Sequence, residues 1–136
     1  MTPSAKNVLV VDASVLAPVV ADGGVDGRRF RARLRGEVVV GPDLLRVEVT
    51  SVLRRHANNG QLTTEEAESA VSDLLAFPIT VFPTGPLLRR VWGLRHNLTA
   101  YDACYVALAE AIQQPLLTAD RRLAKAPGLP CRVETL

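Results

Sequence analysis

Four acidic residues, Asp12, Glu48, Asp102 and Asp120, stand where packing alone does not ask for an acid. Asp12 ends the apolar run "NVLVVD", and Asp120 closes "PLLTAD". Glu48 shares a helical face with Leu44, Leu45 and Val52, and Asp102 opens the apolar stretch "TAYDACYVALAEA". Ionised carboxylates drawn together repel one another, so some must bind protons or the group must hold cations. A divalent metal resolves that conflict. Magnesium and manganese prefer hard oxygen ligands, and magnesium keeps much of its water, which suits a few carboxylates carried on separate elements. Such ions activate water and neutralise charge on a phosphodiester undergoing cleavage.

Each acid also has a purely structural explanation. An Asp between a strand and a helix serves as an N-cap, which covers Asp12 and Asp120. Glu48 could pair with Arg54 or Arg55. With Thr99 as N-cap, Asp102 occupies N3, the acidic position of a capping box. What these explanations leave open is why a helix apolar around most of its surface should aim its first turn at other acids.

The elements that must position these residues are legible in the pattern. "NVLVVD" and "EVVVGP" are short β-branched runs that predict strands buried on both faces, "ITVF" predicts a third and "PLLTAD" a fourth. "CRVETL" is a candidate last edge strand. Between them, helices are expected from Ser14, over "VDGRRFRARLRG", from Pro42–Asp43 to the Asn58-Asn59-Gly60 cluster, and over "TTEEAESAVSDLLAF" with Thr63 or Thr64 as cap. Further helices are expected over "GPLLRRVWGLRHN", from Thr99, and over "RRLAKA". Strands alternating with helices imply right-handed crossovers and a parallel sheet covered on both faces. Ligands in such sheets bind outside the carboxyl ends of the strands, where Asp12 and Asp120 fall.

The ordered segments "VVDASVL", "RVEVTSVLRR", "TAYDACYVALAE" and "LLTADRRL" resemble the PIN-domain nucleases, and within them the VapC-type toxins of bacterial and archaeal toxin-antitoxin pairs. The resemblance spans nearly the whole chain and implies a single domain over residues 1–136. It implies an α/β fold of three layers, α/β/α, with a central parallel sheet of four to five strands. It also implies a metal-dependent endoribonuclease that hydrolyses RNA phosphodiester bonds with magnesium, or manganese in its place. Position by position, Asp12, Glu48, Asp102 and Asp120 match the acidic quartet, with Asp12 and Asp102 as direct metal ligands. Thr118 matches a supporting hydroxyl, and Ser14 is a second candidate for that role. Some relatives carry a further acid after the last aspartate; here Arg121, Arg122 and Leu123 follow, so a complete second metal site is not implied. The resemblance further implies a homodimer and a cognate antitoxin whose C-terminal segment occupies the groove at the active site.

Composition is ordinary for one globular domain: 136 residues, 48% hydrophobic and 22% charged, with a formal charge of only +2. Cys104 and Cys131 lack metal-ligand spacing and read as reduced, packed thiols. "VLVVDASVLAPVVA" is interrupted by Asp12 and preceded by Lys6 alone as a cation, which argues against a secretory leader. No apolar run approaches the roughly 20 residues of a membrane span. The expectation is a soluble, cytoplasmic protein.

The basic residues are clustered. Arg28, Arg29, Arg31, Arg33 and Arg35 crowd one helix, with Arg89, Arg90, Arg95, Arg121, Arg122 and Lys125 elsewhere. Phosphate contacts favour such residues, but a solvated helix face is the default, and the first cluster could equally meet an acidic stretch of an antitoxin. Trp92 and Tyr105 could stack bases; core or dimer packing is the expected role. His56 and His96 lie near helix C-termini and receive no catalytic role.

The alternative is a catalytically inactive PIN-like scaffold that binds protein or RNA, against which the intact quartet argues. A haloacid-dehalogenase-type phosphatase would need a second acid at position 14, which is Ser. A receiver domain would need an acid where "ITVF" runs into Pro83.

Overall fold

The computed structural model describes residues 7–136. Residues 1–6, including Lys6 and the start of the domain as read from the sequence, lie outside the described residues. Within the described residues the chain forms β1 (Val8–Val11), α1 (Ala13–Ala21), α2 (Val25–Leu34), β2 (Val38–Pro42), α3 (Leu45–Asn58) and α4 (Thr64–Ala76). It continues with β3 (Thr80–Phe82), a 3-10 turn (Gly85–Leu87), α5 (Leu88–Gly93), α6 (Ala100–Ile112), β4 (Leu116–Leu117), α7 (Arg121–Ala124) and β5 (Val133–Glu134).

The strands form one sheet in the order β3-β2-β1-β4-β5, and every pairing is parallel. β1 is central, with Val10 paired to Val40 on one side and to Leu116 on the other. The chain builds outward from β1 to β3, then returns to the other side of β1 with β4. That reversal opens a crevice at the carboxyl ends of β1 and β4, where open α/β sheets bind ligands.

One helical layer is α1 packed against α2, α3 and α4; the other is α5 and α6, with α6 lying across β1, β2 and β4. The expected three-layer α/β/α architecture with a parallel central sheet is therefore what the chain adopts. Leu9, Val10 and Val11 are buried, as a strand covered on both faces requires. On α6, all seven residues from Ala103 to Ala109 are buried. A helix apolar all round belongs in a core, so α6 is fixed by burial and only its first turn reaches the crevice.

Three boundaries differ from the sequence reading. The expected strand 115–120 is reduced to Leu116–Leu117, because Thr118 and the residues after it turn their polar groups into the crevice. The expected helix 85–97 divides into a 3-10 turn and a short α5 ending at Gly93. The helix expected to open at Pro42–Asp43 begins at Leu45, since Pro42 remains in β2 and Asp43 donates its N–H to the Phe82 carbonyl.

Of the two packing roles expected for Trp92, core or dimer, the fold excludes the core. Trp92 is 68% exposed on α5, outside the core, with the Arg95 guanidinium 4.4 Å from its ring centroid. A cation over an indole face is mildly favourable even in water. Cys104 is buried and Cys131 half-buried, both unpaired thiols as expected.

Candidate active site

Sheet register places the first contact of the site. Val11 pairs with Leu117, and the ladder continues one step further, with the Asp12 N–H donating to the Leu117 carbonyl. The next residues along the two strands, Asp12 and Thr118, thus come side by side. The Thr118 hydroxyl donates to Asp12 Oδ2, while the Ser14 hydroxyl and the Ser14 N–H both donate to Asp12 Oδ1.

Those two hydroxyls accept in turn from the loop after β4. Ser14 Oγ takes the Ala119 N–H at 2.8 Å, and Thr118 Oγ1 takes the Asp120 N–H at 3.0 Å. The β4–α7 loop is thereby tied through two side chains to a single carboxylate on β1. Asp12 is 6% exposed and Thr118 is 0% exposed. Hydrogen bonds to a charged group are worth about 1.5–3 kcal/mol each, whereas withdrawing a carboxylate from water costs several kcal/mol. The balance goes to burial, which holds the Asp12 carboxyl above its ordinary range despite its donors, with the negative charge of Asp102 adding to the effect.

Glu48 lies on the first turn of α3, half-buried, and accepts from the hydroxyl of Tyr105 on α6. Burial raises its carboxyl above the ordinary range, and the charges of Asp102 and Asp12 raise it further. Tyr105 is buried, as expected for a core residue, and its phenol is pushed far upward by burial and by Glu48, so it stays a donor.

Asp102 is half-buried on the first turn of α6. The Thr99 hydroxyl caps the helix by accepting from the Asp102 N–H. On α4 the Thr63–Glu66 pair closes both halves of a capping box; on α6 only the half supplied by Thr99 is made. Burial and the neighbouring charge of Asp120 hold the Asp102 carboxyl above its ordinary range, partly offset by Thr99 and by the Arg122 guanidinium. Asp120 itself caps α7, accepting from the Arg122 and Leu123 N–H groups.

The four acids are thus linked electrostatically: Glu48 feels Asp102 and Asp12, Asp12 feels Asp102, and Asp102 feels Asp120. Among the described residues, no ion pair involves Asp12, Glu48 or Asp102; Asp120 has Arg122 at 4.0 Å. No group of three or more His, Cys, Asp or Glu side chains among the described residues is drawn together as a ready metal-holding set. The acids form an open cluster of hard oxygen donors, chemistry that favours magnesium or manganese over softer metals.

The Arg-rich helix mostly serves the fold. Arg31 donates to the Val19 and Asp22 carbonyls, Arg28 to the Gly23 carbonyl, and Arg33 pairs with Glu134 and Glu37. His56 lies in the last turn of α3 and His96 in the turn after α5, and neither joins the carboxylates. One feature near the site carries no sequence signal of its own. Tyr101 is 64% exposed beside Asp102, and together with Glu48 and Arg55 it lines one cleft. Helical spacing marks faces, but Tyr101 stands next to an acid and one residue off the buried face, so only the packing of α6 reveals its exposure.

A family model described as the PIN domain matches residues 9–129. The chain belongs to the PIN-domain family. Among curated PIN-domain relatives it is 41% identical to Ribonuclease VapC1 of Mycobacterium tuberculosis over 126 residues, covering 92% of this chain and 95% of that protein. It is 37% identical to Ribonuclease VapC9 of the same organism over 126 residues, with the same coverage of 92% and 95%. These similarities place the PIN domain described above with the VapC ribonucleases. Among solved structures, the crystal structure of PAE2754 from Pyrobaculum aerophilum matches with a TM-score of 0.66 at 24% identity, covering 93% of this chain and 83% of that one. VapBC2 from Rickettsia felis, bound to a DNA fragment from its promoter, gives a TM-score of 0.67 at 11% identity, covering 95% and 98%. At those identities the agreement concerns the fold.

Proposed function

We propose that this PIN domain is an endoribonuclease toxin that hydrolyses RNA phosphodiester bonds with magnesium, or manganese in its place, and is held inactive by a cognate antitoxin. The observation that carries the reading is the acidic crevice at the β1–β4 reversal. Three carboxyls there are raised by burial and mutual repulsion, and among the described residues none of them forms an ion pair, Arg122 only partly offsetting the shift of Asp102. The names of the VapC relatives support the activity, and the VapBC2 structure supports a protein partner for proteins of this kind.

The residues fit a hydrated divalent cation. All donors are carboxylate oxygens, and Asp12 takes three hydrogen bonds where a carboxylate has about four acceptor positions. The open cluster suits an ion that retains several waters. Asp12 and Asp102 would hold it, with Glu48 and Asp120 completing the pocket. Bound there, the ion supplies charge neutralisation and an acidified water.

The protein's own part is positional. Ser14 and Thr118 hold both oxygens of Asp12 by hydrogen bonds. Tyr105 holds Glu48 in one orientation, and Thr99 anchors the turn that carries Asp102. Glu48, half-exposed and of raised basicity, is suited to orient a water molecule and accept its proton. Self-association as a homodimer belongs to the same reading and is measured by sedimentation.

The test is cleavage of total RNA by purified protein with manganese, magnesium or chelator. Activity is expected with either ion, none with chelator, and none for Asp12→Asn or Asp102→Asn variants whose circular dichroism matches the parent. Undiminished cleavage by the double variant would reject the assignment. A calorimetric titration showing no uptake of manganese would favour the inactive scaffold instead.

A further inference from the structure

Beside the carboxylates, a cleft of about 440 Å³ is lined by Glu48, Ser51, Val52 and Arg55 of α3, Ala13 of α1 and Tyr101 of α6, with Val47 at its rim. It meets a second cavity of about 550 Å³ that shares Ala13, Val52 and Arg55 and runs on past Ser14 to His56 and Gln61. Arg55 stands at the junction. It follows Glu48 by seven residues, two turns on the same face of α3, so the two lie roughly 10 Å apart along the helix axis at 1.5 Å per residue.

Arg55 differs from most arginines of this chain. Arg28, Arg29, Arg31, Arg33, Arg46 and Arg90 each bond to a carboxylate or a backbone carbonyl. Arg55 is exposed and joins no ion pair among the described residues, although Glu48 lies on its own helix face. Its side chain lines the cleft, and among the described residues its guanidinium, with five donors, has no ion-pair partner. Across the same cleft Tyr101 presents an exposed aromatic ring on the residue before Asp102. A free guanidinium and a free aromatic ring flanking an acidic centre are the two elements that hold single-stranded nucleic acid: one binds the phosphate and the other stacks the base.

We propose that Arg55 and Tyr101 form a clamp for the nucleotide adjoining the cleaved phosphate of a single-stranded RNA, with Arg55 on the neighbouring phosphate and Tyr101 on the base. The proposal rests on the ribonuclease reading for its choice of ligand. It adds that the strand leaves the acidic centre along α3 toward His56 and Gln61. Arg55 then sets affinity uniformly across sequences, while Tyr101 sets which unpaired base is tolerated next to the cut.

The experiment is fluorescence anisotropy of a labelled single-stranded RNA 12-mer, in chelator so that no cleavage occurs, over a series of salt concentrations. Arg55→Gln is expected to weaken binding about 5- to 20-fold and to lower the slope of log affinity against log salt by about 0.7, the loss of one phosphate contact. Tyr101→Leu is expected to weaken it about 5- to 100-fold, with Tyr101→Phe close to the parent, as stacking requires. Circular dichroism confirms that each variant is folded.

Unchanged affinity and salt slope in both folded variants would overturn the clamp. So would parent protein that fails to bind the RNA, or variants that lose a copurifying protein partner while retaining RNA affinity. Cleavage by the parent with manganese, measured separately, distinguishes the two readings. Cleavage unaffected by Arg55→Gln in KM and in salt dependence leaves the nuclease standing without the clamp, and Arg55-dependent binding without cleavage leaves the clamp standing without the nuclease.

Discussion

Replacing Thr118 by Val tests whether the hydroxyl pair organises the acidic crevice. Val has nearly the shape of Thr, so no cavity opens at this fully buried position, and the change isolates the hydroxyl. Three contacts disappear: the donation to Asp12 Oδ2, the acceptance of the Asp120 N–H and a longer contact of 3.3 Å with the Ser14 hydroxyl. The first involves a charged group, worth about 1.5–3 kcal/mol, and the second strands a half-buried N–H at up to about 1 kcal/mol. The expected loss of stability is therefore about 1.5–4 kcal/mol at neutral pH. The Thr118 bond favours the ionised form of Asp12, so its removal raises that carboxyl further. The loss should accordingly shrink as pH falls and Asp12 takes up a proton. The assay is urea denaturation followed by circular dichroism, in chelator, for parent, Thr118→Val and Thr118→Ser. Ser keeps the hydroxyl and loses only a methyl group, at about 1 kcal/mol. A Val variant within about 0.5 kcal/mol of the parent, or more stable than the Ser variant, would refute the relay; the threshold is the usual scatter for neutral substitutions.

Gly27→Ala should destabilise the α1–α2 corner by about 1–3 kcal/mol in thermal unfolding. An added Cβ would lie 1.9 Å from the Asp22 carbonyl oxygen and 2.9 Å from that of Pro18, so a rise in stability, as helix propensity alone would give, would contradict the packing. Arg33 holds Glu134 below the ordinary carboxylate range and ties α2 to the edge strand β5. A lowered carboxyl contributes stability above its unfolded value and loses it as pH falls through its folded one. Parent protein should thus exceed Glu134→Gln by up to about 1 kcal/mol at pH 7, the range for partly exposed pairs, and match it below about pH 3; an equal difference at both values would exclude the pair as its source.

The parallel sheet was legible because β-branched runs such as "VLVV" and "VVV" have no other stable place than between helical layers. The apolar circumference of α6 likewise announced a central helix, and Asp102 was visible as the acid in its first turn. The link between Ser14, Thr118 and Asp12 was not derivable from spacing, since it depends on a register between strands 106 residues apart. The same holds for Tyr105 and Glu48, which are 57 residues apart on opposite helical layers. Trp92 shows the converse: its residue type suggested core or dimer packing, and α5, ending at Gly93, leaves it outside the core. Where the chain's own arginines are committed was equally hidden, because only folding decides which carbonyls and carboxylates they meet.

Joining Asp12 to the β4–α7 loop has a temporal consequence. Synthesis proceeds from the N-terminus, so Asp12, Glu48 and Asp102 are all joined to the chain before Thr118. Until β4 docks beside β1, the first aspartate lacks one of its two hydroxyl anchors and the last acid has no fixed place. A growing chain is therefore chemically incomplete until β4 docks, and competence arrives in a single late step.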